Sequence, residues 1–201
     1  MIIAGFERLS LCDFPGQVAA VAFTQGCNFR CSYCHNPQLI PCRGGEPPVP
    51  LTVLEAYLES RRSFLDALVV SGGEPTLQED LPQLLILARR LGLAVKLDTN
   101  GSHPERLASW IRQGLLDFVA VDVKAPWSKY GLLAGTGIDC EQIRESIALV
   151  ASSGLPHLFR TTFDPTLLDE TDRGRIRSMI PAGSRHLFQP CRSRRERLTR
   201  A

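Results

Sequence analysis

Three cysteines, Cys27, Cys31 and Cys34, fall within eight residues in the run Gly26-Cys27-Asn28-Phe29-Arg30-Cys31-Ser32-Tyr33-Cys34-His35-Asn36. Their spacing is C-x3-C-x2-C. Thiolates are soft ligands, suited to iron–sulfur clusters and to zinc. A typical 4Fe–4S cluster takes four cysteines, so three in one tight loop leave one iron open to a substrate. Other readings stay open at this level. A structural zinc ion could take the three thiols with His35, although adjacent Cys34 and His35 fit poorly on one tetrahedral ion. An electron-carrying cluster would draw its fourth ligand from Cys12, Cys42, Cys140 or Cys191. Inert buried thiols are disfavoured by the Asn, Arg and Ser that surround them.

Three further short runs carry polar chemistry. In Ser71-Gly72-Gly73-Glu74-Pro75 the paired glycines let the backbone approach a ligand closely. Asp98-Thr99-Asn100-Gly101 ends a strand-like segment, and Asn-Gly is also an ordinary turn dipeptide. In Asp122-Val123-Lys124 the alternation of a strand sends Asp and Lys to the same side, with a surface ion pair as the plain alternative. His103, His157 and His186 match no motif; His103 is expected to be an exposed helix-start residue and the others strand residues.

These residues need elements to position them. Apolar, β-branched runs predict strands at Val18–Thr24, Ala67–Ser71, Ala94–Asp98, Phe118–Val123, His157–Phe163 and His186–Gln189. Helical patterns lie between them. Thr52-Val53-Leu54-Glu55 predicts a capping box. Leu81–Leu91 stops at Gly92, Pro104 opens a helix that stops at Gly114, and Asp139 caps one that ends near Gly154. A weaker helix covers Glu170–Ile180. About six β/α units in series imply parallel strands, since parallel neighbours need long crossovers. They make an incomplete (β/α)6 barrel or an open doubly wound sheet, and either places function at the C-terminal ends of the strands. Residues 1–16 are expected to cover one edge, residues 17–190 to form the β/α core, and residues 191–201 a basic tail, all within one domain of 201 residues.

Composition excludes several classes. A chain 44% hydrophobic and 22% charged reads as soluble and globular. No apolar run spans a bilayer, and the N-terminus lacks a signal-peptide pattern, so the cytoplasm is the expected location and no membrane partner is expected. A net charge of +2 gives no pointer to nucleic acid. The tail residues Arg192, Arg194, Arg195, Arg197 and Arg200 read as a solvated terminus, or as a docking patch for an acidic partner. Seven cysteines, an odd number with three clustered, speak for metal or thiol chemistry in a reducing compartment rather than for disulfides.

With these motifs in place, C-x3-C-x-aromatic-C after a first strand resembles the radical S-adenosylmethionine (SAM) superfamily. The flanks Leu9-Ser10-Leu11-Cys12-Asp13-Phe14-Pro15-Gly16, Gln25-Gly26-Cys27 and Tyr33-Cys34-His35-Asn36-Pro37 are similar to activating proteins of anaerobic ribonucleoside-triphosphate reductase, and to pyruvate formate-lyase activators. The likeness runs from about Gly5 to Pro190. It implies an incomplete α/β barrel of radical SAM type. It implies a 4Fe–4S cluster on Cys27, Cys31 and Cys34, whose open iron chelates SAM. Gly72, Gly73 and Glu74 would then meet the SAM amino group. Lys124 would lie near its carboxylate and ribose, and Tyr33 near its adenine. His35, Asn100 and Val123 fall in the same cofactor-binding segments. Asp98, Thr99 and Asp122 would hold a monovalent cation beside the carboxylate. The resemblance implies one electron from a reductant such as a flavodoxin, cleavage of SAM to a 5′-deoxyadenosyl radical, and hydrogen abstraction from a glycine of a partner glycyl radical enzyme, here anaerobic ribonucleotide reductase.

Two departures stand beside it. Cys12 occupies a position where an aliphatic residue is expected, and is read as a buried free thiol. After Phe188-Gln189-Pro190 the chain turns Arg-rich where similar proteins continue. There is no second set of clustered cysteines, so no ferredoxin-like insert is expected. Two other functions remain: a radical SAM enzyme acting on another substrate, such as a peptide or nucleotide precursor, and a non-catalytic electron-transfer module. The second needs no SAM site, which Gly-Gly-Glu-Pro and Asp-Val-Lys argue against.

Overall fold

Each predicted strand is separated from the next by enough chain for a helical crossover, and all six lie parallel. The structure, a computed structural model, describes residues 1–42, 47–135 and 137–191. In chain order the elements are β1 (Ile3–Ser10), β2 (Ala19–Thr24), α1 (Leu51–Arg61), β3 (Ala67–Gly72), α2 (Leu81–Arg90), β4 (Ala94–Thr99), α3 (Pro104–Arg112), β5 (Phe118–Asp122), α4 (Tyr130–Ala134), α5 (Cys140–Ser152), β6 (His157–Phe163), α6 (Glu170–Met179) and β7 (His186–Pro190). The strands form one sheet in the order β1 to β7. A doubly wound sheet must reverse its strand order at a switch point. Here the order never reverses, so every crossover proceeds the same way around, as in a barrel. Among the described residues β1 and β7 do not pair, and the barrel stays unclosed.

Alternation along the strands gives the sheet two faces. Ala20, Ala22, Leu68, Val70, Val95, Leu97, Val119, Val121 and Val123 join the large core beneath the helices. Ala19, Val21, Ala67 and Val69 pack on the other face with Phe14, which sits beneath them with its ring 5.7 Å from that of Phe118. Towards the C-terminal ends the inner positions turn polar: Ser71, Asp98, Asp122, Arg160 and Gln189 all line one cavity. The apolar positions build the barrel and the polar ones furnish its mouth.

The segment expected to cover an edge does so as a strand: β1 pairs antiparallel with β2, with register shifts between Ile3 and Gly5 and between Glu7 and Ser10. The capping box at Thr52 and Glu55 does not form. The helix starts two residues earlier than that box requires, at Leu51, and Pro50 is its N-cap, its carbonyl accepting from the Val53 N–H at 2.9 Å. The weak helix α6 instead carries a full capping box between Asp169 and Asp172. Asp139 caps α5 as expected, accepting from the Glu141 N–H at 2.9 Å. Cys12 is exposed, not buried, its Sγ 3.5 Å from Ser10 Oγ. The basic-tail residues Arg192, Arg194, Arg195, Arg197 and Arg200 lie outside the described residues.

Candidate active site

The cysteine loop begins where β2 ends, and main-chain bonds hold it on three sides. Gly26 and Cys27 donate to the carbonyls of Leu39 and Ile40 at 2.8 and 3.0 Å. Arg30 and Ser32 donate to Ala134 and Leu133 at 2.8 and 3.2 Å, so the loop also receives the free carbonyls at the end of α4. The Arg30 side chain turns back to the carbonyls of Cys27 and Phe29, at 2.6 and 2.9 Å. On the third side Glu74 N–H donates to the Gly26 carbonyl at 2.8 Å.

That last contact explains the paired glycines differently from the sequence expectation. A Cβ on Gly73 would lie 2.1 Å from the Gly26 carbonyl oxygen, and one on Gly72 would lie 2.4 Å from the Thr24 nitrogen. Gly72 also has a φ of +114°. The glycines allow the backbone after β3 to press against β2 and the cysteine loop. A side chain at Gly73 therefore disturbs the cysteine loop directly, before any ligand is considered.

Cys27, Cys31 and Cys34 open into one cavity of about 250 Å³, together with Tyr33, His35, Gly72, Gly73, Glu74, Asp98, Thr99, Asn100, Asp122 and Lys124. Every sequence-predicted site residue but one lines it. The exception is Val123, fully buried against the helices; the same alternation that brings Asp122 and Lys124 inward turns it outward. Sequence reasoning did not assign Phe29, Asn36, Ser71, Arg160, Thr162 and Gln189, which also line the cavity. Only the face of Arg160 and Thr162 could be read from the sequence, since they alternate with Phe159, Thr161 and Phe163 along β6; their place at the site could not.

No fourth cysteine lines the cavity among the described residues. Nor do any three His, Cys, Asp or Glu side chains there converge on one metal ion. The donor set, three soft thiols ringing a space with one side open to other groups, fits a 4Fe–4S cluster with three protein ligands. Burial pushes the Cys27 thiol up to about 11, against the lowering effect of the Phe29 N–H that points at its sulfur from 3.4 Å. Burial also raises Cys31, with Lys124 opposing. Such thiols stay protonated until a metal displaces the proton.

Tyr33 is 4% exposed; its ring both packs under the loop and lines the cavity. Its hydroxyl donates to the Lys124 carbonyl at 3.1 Å, and the Lys124 N–H donates to the Tyr130 hydroxyl at 3.1 Å. The end of β5 is thus clamped between two buried phenols. Burial raises both phenols above their ordinary range, so both stay protonated.

Glu74 lines the cavity, but its side chain is fully buried and its carboxylate already accepts four bonds from the protein. It accepts from Thr76 N–H and Oγ1 at 3.0 and 2.6 Å, from Thr99 Oγ1 at 2.7 Å and from Asn100 N–H at 2.7 Å. It ties the turn after β3 to the turn after β4. Asn100 then donates to Asn28 at 2.9 Å, linking that turn to the cysteine loop. His103 is drawn in as well: it is half-buried rather than exposed, with Nδ1 3.0 Å from both Thr76 Oγ1 and Ser102 Oγ.

Charged side chains pair across the mouth. Asp98 pairs with Lys96 and, at 3.3 Å, with Arg160. Asp122 pairs with Lys124 at 3.0 Å and Arg160 at 2.8 Å. Burial alone would raise Asp122, but Arg160 and Lys124 overcome it and hold this carboxyl far below the usual range. Asp98, Thr99 and Asp122, the residues expected to hold a monovalent cation, come together at this mouth, and each also accepts a bond from a protein donor.

The model of the radical SAM superfamily matches residues 21–179. A Methanocaldococcus jannaschii protein named as a glycyl-radical enzyme activating enzyme is 38% identical over 176 residues, covering 85% of this chain and 72% of that protein. The pyruvate formate-lyase-activating enzyme of Clostridium pasteurianum is 30% identical over 174 residues, covering 85% of this chain and 71% of that one. Among solved structures, anSMEcpe with bound AdoMet superposes with a TM-score of 0.66 at 17% identity, which is a likeness of fold. The superposition covers 85% of this chain, and the chain spans 50% of that structure.

Proposed function

The chain belongs to the radical SAM superfamily, and we propose that it is the activating enzyme of a glycyl radical enzyme, with anaerobic ribonucleotide reductase as partner. The observation that carries this reading is one cavity. Three thiols from the loop after β2 face the polar ends of β3, β4, β5 and β6 across it. When bound, a 4Fe–4S cluster supplies one electron to cleave SAM, and the hydrogen abstraction that follows leaves a radical on the partner's glycine.

Cys27, Cys31 and Cys34 hold the cluster in this proposal. The main-chain edge Gly72–Glu74 receives the SAM amino group, while the Glu74 side chain only braces that edge from behind. Lys124 and Arg160 supply positive charge for the carboxylate. Phe29 and Tyr33, 3% and 4% exposed, close the cavity floor against water. His35, exposed at the rim, and Asn100 complete the lining. No residue is asked to act as a general base, which suits a mouth whose charges are already paired. The unclosed side between β1 and β7 gives a partner's glycine loop a way in. A flavodoxin is the proposed reductant and a reducing cytoplasm the proposed setting. Among the described residues no helix is long and apolar enough to cross a membrane.

Anaerobic incubation of reduced enzyme and SAM with anaerobic ribonucleotide reductase tests the activase reading by electron paramagnetic resonance. A glycyl radical doublet should appear and should vanish when the reductase's glycine is replaced by alanine. Parallel incubation with pyruvate formate-lyase asks which partner is accepted. SAM cleavage with no protein radical on either would leave the superfamily chemistry standing and overturn the activase.

A further inference from the structure

A second cavity, of about 500 Å³, adjoins the first on the β1 side of the unclosed barrel. Gly5 and Phe23 are partners across the β1–β2 ladder, and both line it. Phe23 stands on the sheet face that carries Phe14, Val21 and Val69, so the cavity opens on the inner side of the barrel. Gln38 and Leu39, from the segment after the cysteine loop, belong to its lining. Asn36 lines both cavities, so the two meet at that residue. No charged residue lines the second cavity, whereas the first holds Asp98, Asp122, Lys124 and Arg160.

Two side-chain amides there are left for a ligand. Gln25 is 8% exposed. Its Nε2 donates to the carbonyls of Gln38 at 3.0 Å and Pro41 at 2.6 Å, which uses both amide hydrogens and fixes which way the amide faces. Its Oε1 accepts no bond among the described residues and is not sealed from solvent, so it presents an acceptor to the cavity that Gln25 lines. A bound O–H or N–H would satisfy it. The Asn36 side chain also makes no hydrogen bond among the described residues. An amide offers both the donor and the acceptors that match the main chain of a passing polypeptide. Phe23 and Leu39 favour an apolar body, and the uncharged lining disfavours a buried charge.

We infer that the second cavity is a subsite for the partner protein. It receives a residue flanking the target glycine, a neutral side chain with an apolar body and an O–H or N–H at its end, such as a phenol or an indole. Gln25 accepts from that end, and Asn36 holds the adjoining main chain. The inference rests on the proposed function, in that it takes a glycine within a polypeptide as the target. Glycine has no side chain to grip, so its neighbours must supply the binding energy that positions its Cα. Gly5 keeps the subsite open: a Cβ built there meets nothing within 4 Å.

The test gives the reduced, cluster-loaded full chain SAM and anaerobic ribonucleotide reductase below saturation. It reads the glycyl radical by electron paramagnetic resonance, beside iron content and the 5′-deoxyadenosine formed without partner. Gly5→Leu and Gln38→Trp each narrow the cavity, the first from open space and the second from an exposed position. Each should keep iron content and partner-free SAM cleavage, and should slow radical formation by roughly tenfold or more, the scale of one buried side chain. One residue flanking the reductase's glycine, cut to alanine, should slow radical formation by itself and then make it insensitive to Gly5→Leu. If one variant of the chain loses iron, the other decides. Loss of iron by both would show that the cavity walls hold the cysteine loop, and overturns the inference. Radical formation at the wild-type rate in an iron-loaded variant overturns it while sparing the proposed function. So do losses that add fully at every flanking residue. A wild type that cleaves SAM and leaves no radical on the reductase overturns the partner reading and the inference with it.

Discussion

The Tyr33 hydroxyl donates to the main-chain carbonyl of Lys124 across 3.1 Å, joining the cysteine loop to the end of β5. These residues are 91 positions apart, and the bond sets the cysteine side of the cavity against its charged side. Tyr33→Phe removes the bond and keeps the ring. The expected cost is about 1 kcal/mol of stability, typical of one hydrogen bond. SAM binding should weaken by several-fold while iron content stays at the wild-type level. A variant that lost its iron would show that the hydroxyl holds the cysteine loop itself.

Gly73→Ala is expected to reduce iron loading, because its Cβ would strike the Gly26 carbonyl next to Cys27. Iron per chain after anaerobic reconstitution, measured beside circular dichroism, checks this. Full iron loading with selectively lost SAM affinity would show that the glycine serves the ligand rather than the packing of two loops.

Much of this was legible in the sequence, for physical reasons that differ between elements. Strands β2 to β7 are short apolar runs between strong punctuation; the alternation that sends Asp122 and Lys124 to one side also excludes Val123, which the sequence reading had kept among the cofactor-binding residues. Strand β1 was not legible as a strand. Its segment Ile3–Ser10 carries Gly5 and exposed Glu7, Arg8 and Leu9, so it shows no clean period; pairing with β2 makes it a strand. Thr52 and Glu55 have capping-box spacing, but Pro50 is already set for the cap with a φ of −57°. The short helix α4 has too few residues to show a pattern, yet its last carbonyls hold the cysteine loop. Arg160 escaped because a lone arginine in a strand has no motif; its meaning comes from Asp122 on the adjacent strand and Asp98 one strand further on.

Glu74→Gln should destabilise the fold by roughly 1–3 kcal/mol, the cost of breaking a buried hydrogen-bonded set. Gln would turn an amide N–H₂ towards donors where a carboxylate oxygen now accepts. Thermal unfolding should show a drop of several degrees. An unchanged melting temperature would mean that the carboxylate is not the brace between the turns after β3 and β4.

His186 links stability to pH. Burial, with Arg177 second, lowers its pKa in the folded chain; its Nε2 lies 3.0 Å from Thr161 Oγ1 and its ring 4.5 Å from that of Phe188. Below the ordinary imidazole value of about 6.5 the unfolded chain takes up a proton that the folded chain resists. The unfolded state then binds more protons, so His186 costs stability as pH falls through about 6.5, the unfolded value, towards its lowered folded value, and contributes no such penalty well above 6.5. His186→Gln should flatten this part of the dependence of melting temperature on pH. An unaltered slope would remove His186 as its source.

The central claim, that Cys27, Cys31 and Cys34 face a SAM site across one cavity, is tested most directly by product analysis. The chain is reconstituted anaerobically with iron and sulfide, reduced with dithionite, given SAM, and assayed for 5′-deoxyadenosine. Wild type should carry about four irons and release 5′-deoxyadenosine, as should Cys42→Ala, while Cys27→Ala, Cys31→Ala and Cys34→Ala should each lose cluster and product. A fully iron-loaded, reduced wild type that binds SAM and releases no 5′-deoxyadenosine would contradict the account, as would a Cys31→Ala protein that keeps both cluster and product.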